Sequence, residues 1–480
     1  MITKNKCFKV FCFVPFLLIL VTVSLMFWLV TIDIKLGTLL VTIYFVVRGL
    51  MFMYGLLKGL YMRKRAVVND SEINESINHI ILIPVYKESR QIIEDSLQSI
   101  VNSDYNLGLV VVVFGIEESA GKRAHVQLNN LAKKYSKYVK EIIIFIHPED
   151  IEGEVRGAPG ANRTYALKSF LSKYSLTEEK INRNYLVTTL DCDCKLGRSF
   201  LKKVNILYSE QVDYENIFIS NDLYLFSNNI NGSPFIQRSF AYYLTLVNFQ
   251  SWYSEVRNAS TFSVYSCSLK TIVKNNFWFP EIGVDDNIFY WNIRSRSGRK
   301  FSGKVVHSKT ESSLVEEDNR VKTLLGFYKQ QFRWGYGSIV FVIALTNMYL
   351  RNKLVSFQTL QMMLILYWKY SLWLSMVFFQ FVVFPLMYFY GTLKYVNTPG
   401  LSILLILIPT FLFFSIIVSI FFYQEEDFSV KSMLLIIFSL IIGPVQLIFF
   451  HLLPFIHAEI DMCVRRGVLQ KFYVSKKASN

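Results

Sequence analysis

Leu186-Val187-Thr188-Thr189-Leu190-Asp191-Cys192-Asp193-Cys194 is the stretch whose reading decides the fold. Its first five residues are apolar or β-branched with no helical period, which predicts a strand buried on both faces, the kind found in a covered, largely parallel α/β sheet. The run breaks off in two carboxylates separated by one residue. In an extended chain Asp191 and Asp193 point to the same side, so two oxygen ligands arrive together at the carboxyl edge of the sheet, where doubly wound folds take their ligands. Such a pair suits a hard divalent cation that itself holds a phosphate-bearing molecule. Two aspartates after a strand also open turns and cap helices, so the surroundings must decide.

The surroundings are greasy. Of 480 residues, 52% are hydrophobic and 16% aromatic, too apolar for an ordinary soluble protein, which predicts that part of the chain lies in a membrane. The net charge of +15 sits beside the apolar runs and is scattered over the middle, with no nucleic-acid-binding motif, so no nucleic-acid partner is expected. Six cysteines show no metal-ligand spacing and read as reduced thiols.

Lys4, Lys6 and Lys9 precede an uncharged run from Phe11 to Ile32, long enough to span a bilayer. A second run, Leu36 to Leu57, contains Arg48 and is followed by Lys58, Arg63, Lys64 and Arg65. The basic flanks predict a cytosolic N-terminus and a cytosolic chain after Arg65. Arg48 reads either as a snorkelling or paired arginine or as a group facing water. Four short apolar runs (Ile80 to Val85, Val110 to Phe114, Ile142 to Ile146, Leu186 to Leu190) then alternate with helix-compatible stretches, the βαβ signature. Beyond Gly335 the chain turns apolar again. Gly337 to Tyr349 reads as an amphipathic interfacial segment; Leu354 to Gly391 is long but carries Trp368 and Lys369 in its middle; Gly400 to Tyr423 and Met433 to Ile456 are spanning candidates. The expected organisation is two membrane helices in 1–65, a cytosolic α/β domain in 66–335, interfacial and membrane helices in 336–460 and a basic cytosolic tail in 461–480.

Four further stretches carry chemistry. Ile80 to Tyr86 runs into Lys87-Glu88-Ser89, a polar loop able to receive a nucleotide. Gly153 to Arg163 is glycine-rich with two arginines, Arg156 and Arg163, and enters a helix-like stretch, so it reads as a phosphate loop or as a plain surface loop. Asp285-Asp286 follows Phe277-Trp278-Phe279 and precedes a helical stretch. The pair either satisfies helix N-terminal amides or opens into an aromatic cleft, where a carboxylate takes a proton from a sugar hydroxyl. Gln330-Gln331-Phe332-Arg333-Trp334 supplies a sugar-stacking ring and phosphate-binding donors, or an interfacial aromatic belt.

The ordered set Pro84-Val85-Tyr86-Lys87-Glu88, Asp191-x-Asp193, Asp285-Asp286 and Gln330-x-x-Arg333-Trp334, with membrane segments on both sides, resembles the membrane-embedded family-two glycosyltransferases, relatives of cellulose, chitin and hyaluronan synthases. The resemblance implies an α/β GT-A-type (Rossmann-like) catalytic domain inserted between transmembrane helices of a multi-pass plasma-membrane protein. It implies that Asp191 and Asp193 hold Mg²⁺ or Mn²⁺ with a nucleotide-diphosphate sugar, UDP-sugar first, and that Asp286, beside Asp285, is the general base. It assigns Gln330, Arg333 and Trp334 to the diphosphate and the acceptor end, and Glu88 to the nucleobase and ribose. The chain departs from the family pattern in three places. Phe114-Gly115-Ile116-Glu117-Glu118-Ser119 replaces the usual acidic motif after the second strand, Arg156 or Arg163 stands in for the usual lysine of the glycine-rich loop, and Asp285 replaces a glutamate. The implied reaction is an inverting displacement. Its product is either a growing polysaccharide passed through the membrane helices or a single sugar added to a lipid or lipid-linked acceptor.

Overall fold

The computed structural model describes residues 4–65, 73–254, 262–351, 356–389, 434 and 446–467. The spanning candidate Gly400 to Tyr423, half of Met433 to Ile456 and the tail beyond 467 lie outside the described residues.

A short helix α1 (Lys6–Phe11) leads into two long apolar helices, α2 (Val14–Ile32) and α3 (Ile34–Arg65), the second ending in the basic cluster Arg63, Lys64, Arg65. Then come β1 (Asn78–Val85), α4 (Arg90–Val101), β2 (Val110–Glu117), α5 (Lys122–Tyr135), β3 (Glu141–His147), α6 (Pro159–Lys173) and β4 (Tyr185–Thr189). All four strands read from the sequence are present. They pair in parallel in the order β3-β2-β1-β4, with β1 nearly wholly buried because helices cover both of its faces.

Beyond β4 the sheet changes character, which the four apolar runs did not disclose. β5 (Lys195–Leu196), α7 (Phe200–Ser209), β6 (Ile217–Leu225), α8 (Phe235–Ser254), β7 (Tyr265–Ser268), α9 (Leu269–Lys274), α10 (Asp286–Ser297) and β8 (Ser302–Glu311) follow. They extend the sheet to eight strands in the order β3-β2-β1-β4-β7-β6-β8-β5, with β7 antiparallel to both neighbours and β5 antiparallel to β8. The ends of β1, β2, β3, β4, β6 and β8 therefore gather at one edge, and β7 begins there. Across the seam a buried polar chain runs from His79 Nε2 to Thr188 Oγ1 (2.6 Å) and on to Ser266 Oγ (2.6 Å), and burial drives the His79 pKa down to about 3, so this imidazole is neutral.

After the sheet, α11 (Arg320–Gly335) leads to α12 (Ile339–Leu350). The expectation that Gly337 to Tyr349 is an amphipathic interfacial segment is corrected here. Ile339 through Ala344 are all buried, and α12 packs on α10, as a helix apolar on every side must. Next is α13 (Phe357–Met387), which contains two π-helical stretches, Tyr367–Leu372 and Phe379–Val383. The last described helix is α14 (Leu453–Arg465), against which α11 packs so closely that a Cβ on Gly335 would stand 2.7 Å from Ala458 Cβ. Among the described residues, three stretches, Lys6–Ile32, Ile34–Arg65 and Phe357–Met387, are long and apolar enough to cross a membrane. Arg48, within the second, lies over Trp368 and Trp373, each 5.5 Å from the ring centre, so α13 supplies it with aromatic faces.

Candidate active site at the carboxyl edge of the sheet

The D-x-D segment is a turn, not an extended strand. β4 stops at Thr189, and Cys194 N–H donates to Asp191 C=O (2.9 Å), closing a turn over Cys192 and Asp193. The two carboxylates therefore do not share one side of a strand, and they have different company. Asp191, about one-third exposed, accepts at Oδ1 from Arg163 NH2 (2.5 Å). Asp193 is buried, and its Oδ2 accepts from Ser312 Oγ (2.9 Å) and Ser313 N–H (3.1 Å), just past the end of β8. Asn228, just beyond β6, donates to Asp193 C=O (2.9 Å) and Ser313 Oγ (3.3 Å). Ser312, Ser313 and Asn228 carry no pattern that sequence reasoning can find; only the order β6-β8 brings them to the turn.

Arg163 is the centre of the site. It sits in the first turns of α6, fully buried, with one guanidinium nitrogen on Asp191 and another on Asp285 Oδ2. Burial alone would lower its pKa, but the carboxylates of Asp285 and Asp191 outweigh that and raise it, so the cation is permanent. The approach is tight: a Cβ on Gly160, one turn earlier, would lie 2.8 Å from Asp285 Cβ. Asp286 follows, half-buried at the head of α10, with Oδ1 accepting from Asn287 N–H (2.7 Å). Burial first, and then the neighbouring Asp285, raise its pKa to about 7, the range in which a carboxylate works as a general base near neutrality. The expected aromatic cleft beside it is not open: Phe277 and Trp278 are buried, Trp278 donating to Tyr265 OH (2.5 Å) and stacking on Phe289.

The glycine-rich loop is anchored from three sides. Gly157, at φ +78°, donates its N–H to Glu117 Oε1 (2.8 Å), so the acidic residue ending β2 is used to hold this loop. Val155 N–H donates to Pro280 C=O (2.8 Å), and His147 Nε2 lies 2.9 Å from Glu154 Oε2. His147 Nδ1 also meets Asn162 Oδ1 at 2.8 Å, beside Arg163. Burial lowers the His147 pKa, but Glu154 overrides it and the net shift is upward. Arg156 is not in the cluster; it is exposed and pairs with Glu149 (3.2 Å).

Glu88 folds back on its own loop, accepting from Tyr86 N–H (2.7 Å), and lines a cleft of about 690 Å³ with Lys87, Arg90 and Arg123 at the starts of α4 and α5. In α11, Gln330 is buried, and Arg333 and Trp334 are half-buried. Trp334 lies in an aromatic group with Phe240 (6.3 Å) and Phe262 (6.4 Å). Phe262 meets Tyr224 (4.6 Å), whose hydroxyl is 3.1 Å from Cys194 Sγ, so rings lead from the D-x-D turn to Trp334. A Cβ on Gly337, three residues after Trp334, would lie 3.2 Å from Nδ2 of Asn287, the residue after the acidic pair.

A divalent cation held jointly with a diphosphate asks the protein for only one or two carboxylates, and Asp191, about one-third exposed beside the Asp193 turn, is a carboxylate of that kind. Among the described residues there is no group of three or more His, Cys, Asp or Glu side chains arranged to hold a metal by themselves.

No protein-family model and no curated protein sequence matches the chain. Among solved structures it is similar to a mannosyltransferase, PcManGT from Pyrobaculum calidifontis in complex with GDP-Man and Mn²⁺, at 11% identity and a TM-score of 0.40, covering 85% of this chain and 99% of that one. It is also similar to TarS 1–349 of S. aureus, at 11% identity and a TM-score of 0.37, covering 76% and 91%. A complex of TarS 1–349 with UDP-GlcNAc gives 12% identity and a TM-score of 0.34, covering 63% and 81%. At these identities and scores the likeness says nothing of function.

Proposed function

We propose that the chain is an inverting, family-two-type glycosyltransferase of the membrane surface, which moves a sugar from a nucleotide-diphosphate sugar to a hydroxyl of a growing glycan. The observation that carries this reading is a fully buried cation, Arg163, set between Asp191 and Asp285 with Asp286 alongside, at the edge of the sheet where the strand ends gather. Asp191 and Asp193 would hold Mg²⁺ or Mn²⁺ together with the diphosphate, and an ion bound there supplies neutralisation of charge on the leaving group. Arg163 fixes Asp285 and leaves Asp286 as the carboxylate able to take the acceptor proton at neutral pH. Attack by that deprotonated oxygen on the anomeric carbon, from the face opposite the diphosphate, breaks the sugar–phosphate bond and inverts the configuration. The rings from Tyr224 through Phe262 to Trp334 offer the acceptor glycan a stacking surface.

The deciding experiment incubates the full chain in nanodiscs with Mg²⁺ or Mn²⁺ and UDP-glucose, UDP-N-acetylglucosamine or GDP-mannose, measuring released nucleotide and product size. A ladder of glycans from one donor, abolished in Asp193→Asn, is expected, because the amide still accepts from Ser312 and Ser313 but carries no charge. A discrete mono-glycosylated lipid would replace the polymer reading by single-sugar transfer, and absence of nucleotide release with every donor would reject the enzyme reading.

A further inference from the structure

Helix α13 changes company halfway along. Its first half, through Met362 and Leu366, packs with Trp291 of α10 and Ile339 to Ala344 of α12 in the core of the α/β domain. Its second half, with Met376, Phe379 and Met387, packs with Met26 and Val30 of α2 and Val41 and Tyr44 of α3. The joint is the π-helical stretch Tyr367–Leu372, and four consecutive side chains there reach different neighbours. Tyr367 OH lies 2.8 Å from Thr22 Oγ1 of α2. Trp368 receives Arg48 of α3, Lys369 Nζ lies 5.7 Å from the Trp291 ring, and Tyr370 OH meets the Asn287 amide, with Nδ2 at 2.8 Å and Oδ1 at 3.1 Å. The polar residues that made Leu354 to Gly391 an awkward span are those that make this joint. π-helical turns interrupt a regular helix at a cost and recur at functional positions.

Asn287 is the residue after Asp286, and its own N–H is the donor to Asp286 Oδ1. We propose that Tyr370 is a positioning residue for Asp286: by holding the Asn287 side chain, α13 fixes the first turn of α10 and aims the carboxylate that accepts the acceptor proton. The inference rests on the reading of Asp286 as the base. It means that the apolar helices set the geometry of the chemical step, with Tyr370 as the link and Asn287 as the receiver.

The test compares Tyr370→Phe, Asn287→Ala and the double variant with the wild type, all full-length in nanodiscs. Three readouts are taken: kcat and KM for the donor, thermal midpoint, and hydrogen exchange of the peptide spanning the start of α10. Loss of one hydrogen bond predicts about a tenfold fall in kcat. Donor KM should stay within about twofold, because donor binding does not require the base, and the thermal midpoint should fall by no more than about 4 °C, the cost of one hydrogen bond. Exchange should quicken only at the start of α10, and the double variant should be no slower than either single one. Thr22→Val breaks the neighbouring bond of the same joint but touches nothing in α10, and should keep wild-type kcat. Wild-type kcat in Tyr370→Phe, a parallel loss of donor binding and thermal stability, or multiplying effects in the double variant would each overturn the proposal. A wild type that transfers from no donor defeats the reading of the site before any variant is made; unchanged exchange in Tyr370→Phe then defeats the positioning contact as well.

Discussion

Among the described residues, the buried charge clusters around Asp222 and around Arg163 differ in how their charges balance. Around Asp222 in β6, Oδ1 accepts from Arg63 NH1 (2.5 Å), while Oδ2 accepts from Tyr253 OH (2.7 Å) and faces His307 Nδ1 (2.9 Å). One fully buried carboxylate meets one cation and two further partners, and the effect is to fasten the end of α3 to the sheet. Around Arg163 carboxylates outnumber the cation: Arg163 serves Asp191 and Asp285, with Asp286 close enough to feel both signs. A matched cluster has nothing left to exchange with a ligand, whereas a cluster rich in carboxylates holds a proton-accepting group in reserve.

Removing the cation from the unbalanced cluster should have the largest effect. Arg163→Met leaves two carboxylates without their partner, so transfer should vanish and stability should fall by about 3–5 kcal/mol, read by nucleotide release and by chemical denaturation. Arg163→Lys should not restore transfer, because one ammonium cannot bridge both aspartates. Next is Asp286→Asn, which should cut transfer by about 10²–10⁴ while sparing donor binding. The same variant carries a pH signature. The folded-state pKa of Asp286, about 7, lies above the ordinary 3.8, so between these values the unfolded chain releases its proton first and wild-type stability declines as pH rises. Asp286→Asn should therefore raise the thermal midpoint at pH 8 and leave it unchanged near pH 3. In the matched cluster Arg63→Met should cost about 1–3 kcal/mol, with kcat of the folded protein kept within about twofold; a selective loss of kcat would erase the distinction between the two clusters. Smallest of all, Arg156→Ala should change neither stability nor donor affinity measurably, since its pair with Glu149 is exposed.

The parallel half of the sheet was legible because its strands are buried on both faces, and a run such as Ile80 to Val85 then announces itself by composition alone. The other half was not. β7 is four residues long, Tyr265 to Ser268, and β8 sets only Val305 and Val306 among lysine, histidine, serine and threonine, so neither reads as core. The residues of the charge cluster were legible one by one, since each is an acid or a base beside a strand end or a glycine-rich loop. Their relations were not: Arg163 was a phosphate-loop arginine in sequence and is the counter-charge of two aspartates in space. Asp193 appeared equivalent to Asp191 until the turn separated them. Sequence spacing speaks to neighbours within one element, and these contacts join elements 28 and 122 residues apart.

The latch of Ser312 and Ser313 on Asp193 has a consequence for the birth of the protein. The partners are separated by 119 and 120 residues, so when the turn leaves the ribosome the groups that will hold it have not been made. At about 5–20 residues per second, some 6–24 s of synthesis pass before Ser312 follows Asp193. Over that interval the parallel half can assemble early, while β4 waits at its edge for β7, β6 and β8. A nascent chain released before residue 312 would carry the parallel strands and an unlatched Asp193 turn, so the latch can close only after about two-thirds of the 480 residues have been made.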